Sequence, residues 1–141
     1  MGGYGVRFLL DTSVWLRGAT EPDTIPAEVQ RILNRTDEMF GLSAISLWEV
    51  GKKHQMGRLS LKKELATWLR EAVASQIELL PLTPEIVAEA MCLPEFPNRD
   101  PADELIVATA RVHQITILTT DVALRKYRHA RFHYFTPILS P

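Results

Sequence analysis

The sequence predicts an α/β domain spanning 1–141, with a central, mostly parallel β-sheet flanked by helices. Three observations carry this. Short apolar runs of strand length alternate with stretches of helical periodicity, which is the order of βαβ units and a parallel sheet. Helix-start signals follow several of the runs at short spacing. Two runs also stop abruptly at an acid: Val6–Leu10 at Asp11, and Thr116–Thr120 at Asp121.

The first run, Val6–Leu10, reads as a buried strand, and Val14, Trp15 and Leu16 give a short helix over Thr12–Arg17. Gly18–Thr24 is a Pro- and Asp-containing loop. Pro26 suits a first helical position, and Val29, Ile32 and Leu33 form one apolar stripe before Asn34. Met39–Ser43 is the second strand. Ser46-Leu47-Trp48-Glu49 has the spacing of a capping box and opens a helix running to about Gly57, and Ser60 caps another bearing Leu65, Trp68, Leu69 and Val73, so the two form a hairpin. Ile77–Leu82 is the third strand. Thr83-Pro84 starts a helix through Ala90, Leu93–Arg99 is a loop, and Asp100-Pro101 launches a helix carrying Leu105, Ile106, Thr109, Ala110 and Val112. The Ile117 strand, a short helix near Leu124 and a last strand around Phe132–Phe135 complete the order. No internal repeat or low-complexity segment interrupts it.

A chain of 141 residues is long enough to bury about 68 to 70% of its unfolded surface without a disulfide or structural metal. The single cysteine, Cys92, excludes an internal disulfide and sits at an apolar helix end, where it reads as core. His54, His113, His129 and His133 show no zinc-type spacing. No apolar run reaches the roughly 18 residues of a membrane span, and the start Met1-Gly2-Gly3-Tyr4-Gly5 lacks a secretory signal, so the expected setting is the reducing cytoplasm, with no membrane partner. Sixteen Lys plus Arg against 17 Asp plus Glu give no overall basic footprint for nucleic acid. One local exception is Arg125–His133, where Arg125, Lys126 and Arg128 are candidate RNA-phosphate contacts; a solvated helix face explains them equally well.

Four acids, Asp11, Glu49, Asp103 and Asp121, lie at strand ends or in first helical turns. Each has a plain structural reading. Glu49 completes the capping box of Ser46, Asp103 stands in the same relation to Asp100, Asp100 itself is the simplest cap, and Asp11 and Asp121 could cap the helices they precede. As a set they point elsewhere. The carboxyl ends of parallel strands form the ligand crevice of such sheets, and four carboxylates gathered there repel one another unless a cation intervenes. An all-oxygen site suits Mg²⁺ or Mn²⁺ rather than zinc. Such an ion activates water for in-line attack on a phosphodiester. No rival nucleophile is apparent: Ser13, Ser43 and Ser46 lack a local histidine.

Four segments carry a resemblance: Leu9-Leu10-Asp11-Thr12-Ser13-Val14-Trp15, Ala44-Ile45-Ser46-Leu47-Trp48-Glu49-Val50, Arg99 through Ala110, and Ile117-Leu118-Thr119-Thr120-Asp121. In this order they resemble the successive acidic motifs of PIN-domain ribonucleases, and within these the VapC toxins of bacterial toxin–antitoxin pairs. Gly57-Arg58-Leu59-Ser60-Leu61 and Leu80-Pro81-Leu82-Thr83-Pro84 extend the likeness nearly end to end. The resemblance implies an endoribonuclease using Mg²⁺ or Mn²⁺ at Asp11, Glu49, Asp103 and Asp121, an RNA substrate, a homodimer, and a cognate VapB/Phd-like antitoxin. The antitoxin tail is then expected across a groove near the helical hairpin, with a basic side chain among the carboxylates. Relatives commonly carry Arg where this chain has Glu104, which adds a negative charge beside the third acid. The alternatives are an RNA-processing PIN nuclease without an antitoxin, a non-catalytic PIN-like scaffold, and a receiver-like Mg²⁺-binding module. The last wants an acid pair after the first strand, where this chain has Asp11 alone.

Overall fold

A computed structural model describes residues 5–97 and 100–139. Five strands form one sheet in the order β3-β2-β1-β4-β5, with every neighbouring pair parallel. They are β1 (Phe8–Leu10), β2 (Phe40–Ser43), β3 (Ile77–Leu80), β4 (Thr116–Thr119) and β5 (Arg131–Tyr134). The helices are α1 (Thr12–Thr20), α2 (Ala27–Leu33), α3 (Ala44–Gln55), α4 (Leu65–Ala72), α5 (Pro84–Met91), α6 (Pro101–His113) and α7 (Val122–Arg125). The sequence expectation of a mostly parallel sheet thus becomes a wholly parallel one among the described residues.

The central strands are apolar because both faces are covered. Leu9, Leu42, Ile117 and Leu118 have no exposure. On one face Leu10, Val14, Trp15, Val29, Phe40, Leu42 and Val50 pack together; on the other Leu9, Ile106, Val107, Ile117, Leu124 and Tyr127 do. Gly41 sits mid-strand because a Cβ there would lie 2.8 Å from Leu80 Cδ1 and 3.1 Å from Val6 Cγ1.

From β1 the chain steps outward to β2 and β3, then crosses back to place β4 on the other side of β1. That reversal puts the topological switch point between β1 and β4, where a parallel sheet opens a crevice at its carboxyl ends. The backbone stitches the two strands there, Asp11 N donating to Leu118 O at 3.0 Å.

Several local expectations need correction. The cap of α3 is Ser43, whose Oγ accepts from Ile45 N, so β2 runs directly into the helix and no capping box forms at Ser46. Ser46 is instead a fully buried residue of the first turn. Ser60 caps nothing, since α4 begins after Glu64, which makes no side-chain cap bond. Pro26 occupies the cap position of α2 rather than its first turn, and the expected loop Gly18–Thr24 is largely the end of α1 plus a 3₁₀ turn, Pro22–Thr24. Cys92 follows α5 at its C-cap and is exposed, not core. The hairpin of α3 and α4 mostly faces the protein's own interior: Val50 is buried, and Leu47, Trp68 and Leu69 pack against the same core as Trp15, with only Trp48 among the expected residues largely exposed, at 58%. The start Met1–Tyr4 and the end of the Leu93–Arg99 loop lie outside the described residues. No helix among the described residues is long and apolar enough to cross a membrane.

Candidate active site

Each acid is delivered by a different element. Asp11 follows β1 and caps α1, Oδ1 accepting from Thr12 N at 2.8 Å, while Oδ2 accepts from Thr119 Oγ1 of β4 at 2.7 Å. Thr119 Oγ1 also accepts from Asp121 N at 3.0 Å, so one hydroxyl ties the first acid to the turn bearing the last. Asp121 caps α7, its Oδ1 accepting from Ala123 N and Leu124 N at 2.8 and 3.1 Å. Asp103 occupies the third position of α6, whose cap is Asp100; Asp100 Oδ1 accepts from Ala102 N at 2.9 Å and Asp103 N at 3.3 Å. Glu49 lies in the second turn of α3 and accepts a 2.5 Å bond at Oε1 from Thr12 Oγ1.

These positions bring Asp11, Glu49 and Asp121 all within electrostatic reach of Asp103. Burial is the first cause that lifts Asp103 from the ordinary carboxylate range to about 7, and Asp100, Asp11, Glu49 and Asp121 each push it further. Burial raises Glu49 as well, with Thr12 opposing it by hydrogen bonding and Asp11 and Asp100 adding repulsion. Asp11, only 6% exposed, is raised mainly by desolvation; its bonds to Thr119 and Thr12 N pull the other way, and Asp121 adds to the rise. Lys53, one helical turn beyond Glu49, is the cation that tempers both Asp11 and Glu49. Burial plus like-charge crowding at a sheet crevice marks a functional carboxylate cluster better than a structural one.

Among the described residues no three carboxylate, histidine or cysteine side chains close into a ready coordination set. The acids form an open rim, and Glu49 Oε2 and Asp121 Oδ2 accept no hydrogen bond among the described residues. This donor chemistry fits a hard cation. Mg²⁺ retains several waters and needs only one or two direct carboxylates, so a loose oxygen rim suits it where a tight cage would not.

The basic run behaves in part as structure. Arg125, Lys126 and Arg128 are exposed, yet the Arg125 guanidinium stacks 4.3 Å above the Tyr134 ring, and Tyr127 is buried with its hydroxyl donating to Pro94 O at 2.6 Å. Sequence reasoning missed Thr12, Ser46, Thr119 and Lys53, and treated Asp100 as a cap only. For Lys53 the signal was present, since it stands four residues after Glu49 on one helix face. The hydroxyls gave none, because their partners are 34 to 108 residues away.

The class of protein follows from this sheet and rim: the chain belongs to the PIN domain family, whose profile matches residues 8–130. Within it, the chain is 32% identical over 123 residues to Ribonuclease VapC22 of Mycobacterium tuberculosis (strain ATCC 25618 / H37Rv), an alignment covering 87% of this chain and 93% of that one. Among solved structures, it is similar to DNA-bound VapBC from Salmonella typhimurium, with a TM-score of 0.71 at 18% identity over 92% of this chain and 98% of that one. It is also similar to VapBC2 from Rickettsia felis bound to a DNA fragment from their promoter, with a TM-score of 0.70 at 15% identity and the same coverage. At such identities these structures establish the fold alone.

Proposed function

We propose that this chain is a metal-dependent endoribonuclease, the toxin of a toxin–antitoxin pair, with Asp11, Glu49, Asp103 and Asp121 holding Mg²⁺ or Mn²⁺. The observation that carries it is the gathering of four carboxylates from β1, α3, α6 and β4 at one crevice, with Asp103 raised to about 7 by burial and by its neighbours. Such an ion, when bound, polarises a phosphoryl oxygen and lowers the pKa of a water for in-line attack. The protein's own part is positional. Asp11, held at both oxygens, is the fixed wall of the site; Glu49 and Asp121 each keep one oxygen without a partner among the described residues, which would be available to the ion or its waters. Asp103, raised to about 7 by burial and by its acidic neighbours, would shed its proton more readily once a cation sits beside it. Arg125, Lys126 and Arg128 lie on the segment immediately after Asp121, where they support the RNA backbone on approach.

The toxin reading is supported by the VapC22 relative and by the VapBC neighbours. An apolar groove of about 880 Å³, lined by Val14, Trp15, Ile25, Phe40, Trp68 and Ile77 and edged by Lys62 and Lys63, offers an amphipathic antitoxin segment a seat beside α1 and α4. A basic side chain of that segment among the carboxylates would stand in for the cation. The same reading takes the protein to be a cytoplasmic homodimer. Incubating the purified chain with total RNA in EDTA or in Mn²⁺ and mapping the cut ends tests the nuclease. Cleavage that appears only with metal and disappears in Asp103→Asn is the expected result, and metal-independent or absent cleavage overturns it. Growth arrest on expression, relieved by the neighbouring small protein, tests the toxin role separately.

A further inference from the structure

Glu49 lies in the second turn of α3, whose cap is Ser43, so it serves no helix end. Its side chain has three rotatable bonds, and Asp11 and Asp100 both repel it. Left to electrostatics it would swing outward. Besides the charge of Lys53, a direct bond opposes this, the 2.5 Å contact that Thr12 Oγ1 donates to Glu49 Oε1 across the gap between α1 and α3. Thr12 is itself held: its Oγ1 lies 2.7 Å from Ser46 Oγ, and both residues are buried, at 3% and 0% exposure. A hydroxyl carries a single proton. Because Thr12 spends its proton on the carboxylate, Ser46 must be the donor in the other bond. The direction of the chain is therefore fixed as Ser46 O–H to Thr12 O–H to Glu49 carboxylate.

We infer that Thr12 and Ser46 are positioning residues, a buried hydroxyl relay that aims the Glu49 carboxylate into the acid rim against the repulsion of its neighbours. The inference rests on the nuclease reading only for its functional consequence. Each member has a distinct job. Thr12 makes the bond; Ser46, by occupying the acceptor side of Thr12, keeps the Thr12 proton pointed at Glu49. Bonds in series polarise one another and share a burden that neither pair carries alone. The relay also accounts for two residues that capping does not use: Thr12, whose backbone N–H rather than its hydroxyl meets the Asp11 cap, and Ser46, whose own cap role passes to Ser43.

The experiment uses full-length Thr12→Val, Thr12→Ser, Ser46→Ala and the double variant Thr12→Val/Ser46→Ala, each assayed at a temperature where circular dichroism shows it folded. Outer groups that orient metal ligands are worth about 10- to 100-fold in metal affinity. Thr12→Val should lower Mn²⁺ affinity by calorimetry by at least about tenfold. Ser46→Ala should lower it less, Thr12→Ser should restore it, and the double variant should match Thr12→Val because the relay fails at its first link. In metal-free crystal structures the Glu49 carboxylate should leave its position in Thr12→Val and keep it in Thr12→Ser. Unchanged Mn²⁺ affinity in Thr12→Val, or equal losses in Thr12→Val and Thr12→Ser, overturns the relay. If the wild-type chain neither binds Mn²⁺ nor cuts RNA, the nuclease reading falls alone. The position of Glu49 in the two metal-free structures then decides the relay: a carboxylate that moves in Thr12→Val and not in Thr12→Ser upholds it, and one that stays in both overturns it.

Discussion

The two ends of the sheet treat charge in opposite ways. At the amino ends of the strands, charges meet partners. Arg7, just before β1, pairs with Glu38 at 2.6 Å, and Arg35 approaches the same carboxylate at 3.3 Å. Arg111, in the last turn of α6, pairs with Glu89 at 2.5 Å and donates to His129 O, and Arg131 at the start of β5 donates to Gln114 O. At the carboxyl ends, acid faces acid. Asp100, Asp11, Glu49 and Asp121 each disfavour the charge of Asp103, and Lys53 tempers Asp11 and Glu49. One end spends charge on holding loops to strands. The other gathers mutually repelling acids, an arrangement that proteins tolerate where function needs it.

The largest expected contrast comes from deleting charge at each end. Asp11→Asn, Glu49→Gln or Asp103→Asn should each cut RNA cleavage by on the order of 100-fold or more, the scale of lost preorganised electrostatics. Asp103→Asn should at the same time raise the metal-free melting midpoint at pH 8, because it removes a buried, repelled charge. Arg111→Ala should do the reverse, lowering the midpoint by about 4 °C for a loss of about 1 kcal/mol while cleavage stays near wild type. Steady-state rates and thermal melts on the same preparations check both halves. If Arg111→Ala were as inactive as Asp103→Asn, the division of labour would be wrong.

A pH series sharpens the same contrast. A carboxylate whose folded pKa exceeds its unfolded value holds its proton longer when folded, so its contribution to stability is present at low pH and lost as pH rises. For Asp103 the window runs from the ordinary aspartate value of 3.8 to about 7. Without metal, wild type should therefore lose stability relative to Asp103→Asn between about pH 4 and 7. Parallel midpoints for the two proteins across that range would contradict the raised pKa.

Smaller effects test the rim's edges. Neutralising Arg125, Lys126 and Arg128 together should weaken RNA binding and reduce its salt slope by up to about three counterions' worth while leaving Mn²⁺ affinity unchanged. The slope should fall by less than the full amount, because Arg125 is stacked on Tyr134. The smallest change is expected for Asp100→Asn, since Asn retains the cap to Ala102 N and Asp103 N. Cleavage within about threefold of wild type fits; a loss as large as that of Asp103→Asn would reassign the third acid.

Much of this was legible in the sequence because it depends on local order. Asp11 and Asp121 stand out as acids that end apolar strands, and Asp100-Pro101 announces α6, so the sheet and its crevice could be placed from local order, while Glu49 and Asp103 read singly as caps and joined the set through the resemblance. Ser46 shows where local reading fails. Its capping-box spacing to Glu49 is real, but β2 enters α3 directly at Ser43, so tertiary packing buries Ser46 and frees Glu49 for Thr12. Ser60 offered the same cue, whereas α4 starts at Leu65, where Trp68 can meet Trp15 at 5.7 Å between ring centroids. Cys92 looked like core beside Ala90 and Met91, but it falls just past α5, with its side chain to solvent. The hydroxyl contacts of Thr12 and Thr119 were illegible because they join segments far apart in the chain that meet only in the folded protein.

The central claim is that the repulsion stored at the carboxyl ends is there to be relieved by a divalent cation. The most direct test is the thermal midpoint at pH 7.5 with EDTA and with millimolar Mn²⁺, for wild type and Asp103→Asn. An ion bound only by the folded state stabilises it by mass action, about 2.7 kcal/mol at a concentration 100 times Kd. Wild type should gain several degrees with Mn²⁺ and Asp103→Asn much less, with the wild-type gain shrinking toward pH 5 as protons compete. Equal wild-type midpoints with and without Mn²⁺ would contradict the account.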